Sequence, residues 1–335
     1  MMSSLIKNTV SLSTIKEQTK LKRKEVSERM EKEFSAIPFS KNVCVYACGS
    51  MGRLEMTDAS DLDLFFISTD TNKDKCCRKE ETGISTLNKY RFFGTLYKIN
   101  SELGYSDPSK GGEYWDFISE TNLIDIGSRK EDYNNSFTAR MLLILESTPL
   151  FNPSLYNQLT QKVVDAYFRD YEDNKDGFVP LFIMNDIKRY WYTLTVNYEA
   201  RRDKNDDNNK KYWKRLKLKY ARLLTCYSMI ACLYERDVTS DYVIRCINMT
   251  PFERLEMLTK NHPGEKLDSV FDSIKNEYEW FLRLRKEGPE WWDDSNHREE
   301  AFSQHSPAFH DLIIHKFLGI ISETNPHLKE MTDEY

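Results

Sequence analysis

Two aspartates stand two positions apart in the segment Asp61-Leu62-Asp63, directly before an apolar run from Leu64 to Ile67. In an extended segment, residues two apart point to the same face, so these carboxylates lie about 6.6 Å apart along the chain. Carboxylates held side by side repel each other unless a cation lies between them. Their hard oxygen atoms suit Mg²⁺, with Mn²⁺ as an alternative ion, and Mg²⁺ in proteins is commonly shared between carboxylates and phosphates. The pair therefore predicts a metal site.

A glycine-serine step, Gly49-Ser50, ends the preceding apolar run from Val43 to Cys48. Such a step favours a tight turn into a short helix. The first backbone N–H groups of a helix and its positive dipole end attract phosphate. Arg53 follows closely and adds a positive charge. The sequence thus predicts strand, turn, short helix and strand, with Gly49, Ser50 and Arg53 at a phosphate beside the aspartate pair.

The stretch from Val43 to Ile67 carries the pattern G-S-x-G-R-x-E-x-T-x-x-S-D-x-D. This pattern resembles the nucleotidyltransferases of the polymerase-β superfamily, and within it the branch that contains the protein-PII uridylyltransferases. The resemblance implies that a hydroxyl attacks the α-phosphate of an NTP or dNTP in line and releases pyrophosphate. It also implies two Mg²⁺ ions, about 3.5–4 Å apart, held by Asp61 and Asp63.

The same resemblance implies an α+β fold. We expect a polymerase-β-like catalytic domain, a small mixed sheet flanked by helices, over residues 1–150 with an N-terminal helix. An all-helical domain that binds nucleotide or substrate is expected over residues 151–335. The break is placed at Asn152-Pro153, a dipeptide typical of turns.

A third carboxylate completes the metal site in this superfamily, either as a metal ligand or as a general base. The segment from Glu113 to Ile118 reads as the strand that would carry it. Asp116 is the favoured candidate, because alternation sets it with Tyr114 on one face. Glu113 and Asp125 are alternatives, and a surface acid on an edge strand explains Asp116 about equally well.

Helical periodicity dominates the second half of the chain. Asn185 and Arg189 are four residues apart on one predicted helix, so they share a face. Lys217 lies on a second predicted helix, from Tyr212 to Cys232. We expect Asn185, Arg189 and Lys217 to contact the nucleotide.

A basic stripe follows on the same predicted helix, where Arg215, Lys219 and Arg222 recur at i, i+4 and i+7. Such a stripe can guide the backbone of an oligonucleotide product, although a solvated surface explains the charges equally well. The chain ends at Tyr335, and a mobile terminal tyrosine is a competent hydroxyl acceptor for self-modification.

Composition excludes several classes of protein. The 335 residues are 40% hydrophobic and 30% charged, and the net charge of −5 leaves nucleic-acid contacts to local basic patches. No apolar run reaches the roughly 18 residues of a membrane span. Six dispersed histidines argue against zinc, and seven irregularly spaced cysteines argue against a disulfide framework. We therefore expect a cytoplasmic protein without membrane or zinc partners.

Three functions fit these observations. The first is template-independent synthesis of an oligonucleotide or nucleotide signal in bacterial antiphage defence, with an effector protein as a further partner. The sequence loosely resembles the nucleotidyltransferases of Hailong-type systems, which implies oligodeoxyadenylate as the product. The second is adenylylation or uridylylation of a protein side chain. The third is a degenerate nucleotide-binding module, against which the intact Asp61 and Asp63 pair argues.

Overall fold

The computed structural model describes residues 11–58, 60–69, 82–112, 115–127, 135–201, 208–287 and 289–333. It confirms the predicted α+β class, with a small mixed sheet and a helical C-terminal part. The chain divides into two compact units. We call Glu17–Pro180 together with Thr239–Thr250 the sheet unit, and residues 11–16, Leu181–Val238 and 251–333 the helical unit.

Within the described residues, the strands are β1 (Val43–Ala47), β2 (Leu64–Ser68), β3 (Phe117–Ser119) and β4 (Thr148–Phe151). The α-helices are α1 (Leu12–Phe34), α2 (Gly49–Gly52), α3 (Thr86–Glu102), α4 (Glu120–Ile124), α5 (Ser136–Glu146), α6 (Pro153–Tyr167), α7 (Leu181–Arg201), α8 (Asn208–Lys217), α9 (Leu223–Leu233), α10 (Ser240–Ile247), α11 (Pro251–Asn261), α12 (Glu265–Glu287), α13 (Ser295–Glu299), α14 (Ser306–His310), α15 (Leu318–Ser322) and α16 (Pro326–Asp333). Segments of π-helix occupy Leu218–Arg222, Glu300–His305 and Asp311–Phe317.

The sheet has the order β3-β2-β1-β4, in which β1 is antiparallel to β2 and β4, and β2 is parallel to β3. Side chains alternate between its faces. Phe66 points to the side packed against α1 and α3. Tyr46 and Phe65 point to the other side, where the Tyr46 hydroxyl donates to the Ala139 carbonyl of α5 at 2.8 Å and its ring contacts Tyr156 of α6. The sheet therefore lies between two helical layers.

Aromatic rings join α1, α3 and the sheet. Phe34 of α1 stacks on Phe92 of α3 with ring centroids 4.1 Å apart, and Phe92 meets Phe117 of β3 at 5.1 Å. Each such pair adds about 0.5–1.5 kcal/mol beyond the burial of its surface. This cluster includes Phe66 and so anchors β2, the strand that follows the aspartate pair.

The edge strand β4 was not predicted from the sequence. It contains Pro149, which lacks a backbone donor and is tolerated in a sheet only at an edge. The next helix, α6, packs against β1 and β4, and α10 packs against α5 and α6. The sheet unit therefore includes α6 and α10, whereas the predicted boundary follows residue 150.

The helical unit is built around α9, whose side chains are almost all buried and which packs against α7 and α11. The predicted helix from Tyr212 to Cys232 is helical, but a π-helical segment interrupts it. Tyr220 in that segment stacks on Phe281 at 5.0 Å and on Phe309 at 4.4 Å. None of the helices described here is both long enough and apolar enough to cross a membrane.

Candidate active site around Gly49 and Asp63

The aspartate pair lies directly before β2, and both Asp61 and Asp63 are exposed. Leu62 between them is buried, and Leu64 packs against the same core as Leu62. Because side chains alternate, the aspartates share the face of Phe65, which is the side covered by α5 and α6. The structure thus has both carboxylates exposed, with Leu62 between them buried in the core.

The turn at Gly49 lies directly against Asp63. Gly49 has a φ of 65°, in the left-handed region that favours glycine. A Cβ atom added there would lie 2.5 Å from Asp63 Oδ2, closer than any side chain tolerates. The Cys48 N–H donates to the Asp63 carbonyl at 3.0 Å, which joins the end of β1 to the aspartate backbone. The predicted phosphate turn and one predicted metal ligand are therefore in van der Waals contact.

Arg53 is buried between two carboxylates beneath this turn. Its Nε donates to Glu55 Oε2 at 2.9 Å, and its Nη1 donates to Glu146 Oε2 at 2.5 Å. The side chains of Arg53, Glu55 and Glu146 are only 7%, 3% and 0% exposed. The predicted phosphate contact of Arg53 is therefore not supported, because its guanidinium is turned into the protein and paired there.

Glu146 connects this buried network to the turn. Its Oε1 accepts a hydrogen bond from the Gly49 N–H at 3.2 Å. The main chain of Glu146 lies directly against α2, since a Cβ atom on Gly52 would lie 1.7 Å from the Glu146 carbonyl oxygen. Glycine is thus required at Gly52 by a backbone contact, and it is favoured at Gly49 by the positive φ.

Sequence reasoning missed Glu55 and Glu146 as parts of the site. A signal for Glu146 was present, because it is an acid in the last turn of α5, directly after the apolar run from Met141 to Leu145. A carboxylate is disfavoured at the negative end of a helix unless a cation or donor compensates it. The compensating group, Arg53, stands 93 positions away in sequence.

Asp116 pairs with a lysine at the start of β3. Its Oδ1 accepts from Lys89 Nζ of α3 at 2.6 Å and from the Phe117 N–H at 2.8 Å. Its neighbours Trp115 and Phe117 both pack against Phe66, so alternation places Asp116 on the face of Phe65, which is also the face of Asp61 and Asp63. Among the described residues, no group of three or more His, Cys, Asp or Glu side chains is arranged to hold a metal ion.

The described residues do not form a three-ligand cluster with Asp116, and its assignment as third ligand stays a prediction. Of the two alternatives, Asp125 is exposed and contributes its carbonyl to Arg140 at 3.3 Å. Glu113 lies outside the described residues, and so does the candidate acceptor Tyr335.

The contact residues predicted for the second half all belong to the helical unit. Asn185 and Arg189 line one pocket on α7. The Lys217 Nζ lies 5.7 Å from the centre of the Trp213 ring, a cation–π contact. Asn185 and Arg189 are therefore brought together, whereas Lys217 belongs to a separate aromatic contact at the end of α8.

The predicted basic stripe passes through the π-helical segment Leu218–Arg222. A π-helical segment bonds i to i+5, so the α-helical spacing of Arg215, Lys219 and Arg222 does not hold across it. Arg215 lies over the Phe302 ring at 4.4 Å. These cations therefore do not form one regular α-helical row.

Comparison with known protein families agrees with the motif. Residues 1–90 match the family model described as "Putative nucleotidyltransferase DUF294". The matched segment contains β1, α2, the aspartate pair and β2, and it supports a nucleotidyltransferase superfamily and transferase activity. Comparisons with curated proteins and with solved structures give no match.

Proposed function

We propose that the protein is a metal-dependent nucleotidyltransferase that moves a nucleoside monophosphate from an NTP or dNTP to a hydroxyl group. The observation that carries this proposal is the contact between the Gly49 turn and the Asp63 carboxylate, on the face shared with Asp61. A phosphate turn and a metal-binding carboxylate must be adjacent if one triphosphate is to contact both. The family match over the same segment supports the class of reaction.

The donor set fits a hard divalent cation. Asp61 and Asp63 are exposed and are separated only by Leu62 in the chain. Their carboxylate oxygen atoms suit Mg²⁺ or Mn²⁺. Asp61 and Asp63 would hold the metal, which supplies charge neutralisation at the phosphates and at the attacking oxygen. Asp116, on the strand beside β2, stays the candidate third ligand, and it would exchange its exposed pair with Lys89 for the metal.

The remaining chemistry falls to the turn. Since Glu146 accepts the Gly49 N–H, Ser50 is the residue of the turn that we assign to the terminal phosphates. Glu146 holds the turn in place by accepting hydrogen bonds from the Gly49 N–H and from Arg53. In the reaction, the acceptor oxygen bonds to the α-phosphorus, the bond from the α-phosphorus to the bridging oxygen breaks, and pyrophosphate leaves. The acceptor proton passes to solvent.

We propose an oligonucleotide hydroxyl as the acceptor, so that the enzyme extends a strand without a template. The resemblance to Hailong-type antiphage enzymes supports this acceptor and makes dATP the first substrate to test. The alternative acceptor is a protein side chain, with Tyr335 of this chain as one candidate.

The experiment incubates purified protein with each labelled NTP and dNTP plus Mg²⁺ or Mn²⁺. Products are separated on a denaturing gel before and after protease. A protease-resistant ladder supports strand extension, and a protease-sensitive single label supports transfer to protein. We expect Asp61→Asn and Asp63→Asn to abolish transfer. The matched control, Asp58→Asn, changes an exposed aspartate of the same segment that pairs with Lys22, and it should retain transfer.

Equal activity of the Asp63→Asn variant and the wild type would remove the proposed site. Absence of product with every nucleotide and both metals would leave only a nucleotide-binding module.

A further inference from the structure

One face of α7 lines a pocket of about 620 Å³ in the helical unit. Tyr227 of α9 lines the same pocket. The lining residues of α7 recur at helical spacing and include Asn185, Lys188, Arg189, Tyr192 and Val196. This pocket, which we call the α7 pocket, has a volume in the range of ligand sites. Its chemistry is mixed, with two cations, an amide and exposed apolar surface.

The apolar part of the α7 pocket is open to solvent. Tyr192 is 66% exposed and Val196, one turn further along α7, is 65% exposed. Next to them, Trp191 and Tyr227 pack edge to face with ring centroids 5.8 Å apart. An exposed tyrosine beside a fixed aromatic pair is a platform on which a planar ring can stack.

The charged part of the α7 pocket is positioned by its neighbours. Arg189 pairs with Asp186 at 3.2 Å, and Lys188 Nζ donates to the Thr332 carbonyl at 3.4 Å. Both side chains line the α7 pocket, so their positive charges face a ligand bound there. The described residues that line the α7 pocket include no carboxylate. The surface is therefore suited to a ligand that alternates negative charge with planar rings.

We propose that the α7 pocket binds a single-stranded nucleic acid, with Lys188 and Arg189 at its phosphates and Tyr192 stacked on a base. Asn185 offers an amide to a base edge. A duplex keeps its bases stacked inside, so it would not use Tyr192. An acidic peptide would use the cations but not the tyrosine platform. This inference rests on the proposed function, because the bound strand would be the acceptor or the product of nucleotide transfer.

The test measures binding of fluorescently labelled single strands, dA and dT homopolymers and their RNA counterparts, by anisotropy in EDTA. Without a divalent metal, no transfer occurs, so strand binding is read apart from the reaction. We expect Tyr192→Ala to weaken binding about tenfold, because stacking contributes about 1–3 kcal/mol per base. We expect Lys188→Gln to reduce the slope of log Kd against log salt by about 0.7.

Matched controls lie on the sheet unit. Tyr90→Ala removes a tyrosine of α3 that is 73% exposed, and Lys24→Gln removes an exposed lysine of α1. Both controls should bind like the wild type. Three results would overturn the inference: no strand binds, Tyr192→Ala binds like the wild type, or a duplex binds as tightly as a single strand.

Displacement of the strand by polyglutamate with equal potency in the wild type and Tyr192→Ala would also count against it. The proposed function fails separately, by lack of nucleotide transfer in the presence of metal. Circular dichroism checks that each variant is folded.

Discussion

Glu146 offers the sharpest test of how the candidate site is built. Its side chain is fully buried, accepts from Arg53 at 2.5 Å and from the Gly49 N–H at 3.2 Å. Truncation of one partner of a buried ion pair costs about 3–5 kcal/mol, because the other charge is left uncompensated. Arg53 keeps Glu55 as a second partner, so the lower end applies. We expect Glu146→Ala to lower the free energy of unfolding of the sheet unit by about 3 kcal/mol.

Glu146→Gln separates charge from shape. The amide oxygen can still accept a hydrogen bond, but the charge that strengthens the bond from Arg53 is lost. A charged hydrogen bond is worth about 1.5–3 kcal/mol and a neutral one about 1 kcal/mol, so we expect Glu146→Gln to cost about 1–2 kcal/mol. The glutamine variant should therefore fall between the wild type and the alanine variant.

Because the chain has two units, a single melting temperature does not isolate the sheet unit. Native-state hydrogen exchange with mass spectrometry does, since peptides over residues 43–53 report the opening of β1 and α2. The control is Glu28→Ala on α1, which removes an exposed acid 3.8 Å from Lys24 and should cost less than about 0.5 kcal/mol. If the amide protection of these peptides is the same in the Glu146→Ala and Glu28→Ala variants, the buried network does not support the turn.

Two further predictions follow from local geometry. Gly52→Ala places a Cβ atom 1.7 Å from the Glu146 carbonyl oxygen and should destabilise the sheet unit by about 1–3 kcal/mol, whereas Gly94→Ala in open space on α3 should stabilise it by about 1 kcal/mol; chemical denaturation compares the two. Burial, Cys226 and Tyr192 raise the pKa of Tyr227 to about 12. The folded-state pKa lies above the unfolded value near ~10, so the stability that neutral Tyr227 contributes is lost as the pH rises from about 10 to about 12. Ultraviolet titration of the wild type against Tyr227→Phe should show this step, and no difference between the two curves would contradict it.

The local parts of the candidate site were predictable because their geometry is set within a few residues. Alternation alone places Asp61 and Asp63 on one face and Leu62 on the other, and the structure has both aspartates exposed and the leucine buried. The need for glycine at Gly49 follows from a positive φ, which a tight turn after a strand commonly requires. An N-terminal helix was also predicted, and α1 spans Leu12–Phe34.

The non-local parts were not predictable from periodicity. The pair between Asp116 and a lysine on α3 was not foreseen, because Lys89 stands 27 positions earlier in the chain. The role of Arg53 depends on Glu146, which is far away in sequence. Strand β4 contains a proline, which argues against a strand. Its assignment therefore depends on its pairing with β1 at the sheet edge. In each case a tertiary partner overrode the local preference.

The two kinds of carboxylate in the site show how charge is divided between structure and chemistry. Glu55 and Glu146 are buried, and Arg53 lies between them, so their charge is compensated inside the protein. Asp61 and Asp63 are exposed, so water can solvate their charges and a ligand can reach them.

The compensated network holds the Gly49 turn, and the exposed pair is the proposed source of the charge that would bind metal. A nucleotidyltransferase needs both properties at one place, because a triphosphate must meet a rigid backbone turn and mobile cations at once. The contact between Gly49 and Asp63 is where the two meet, and the positive φ of Gly49 favours glycine there.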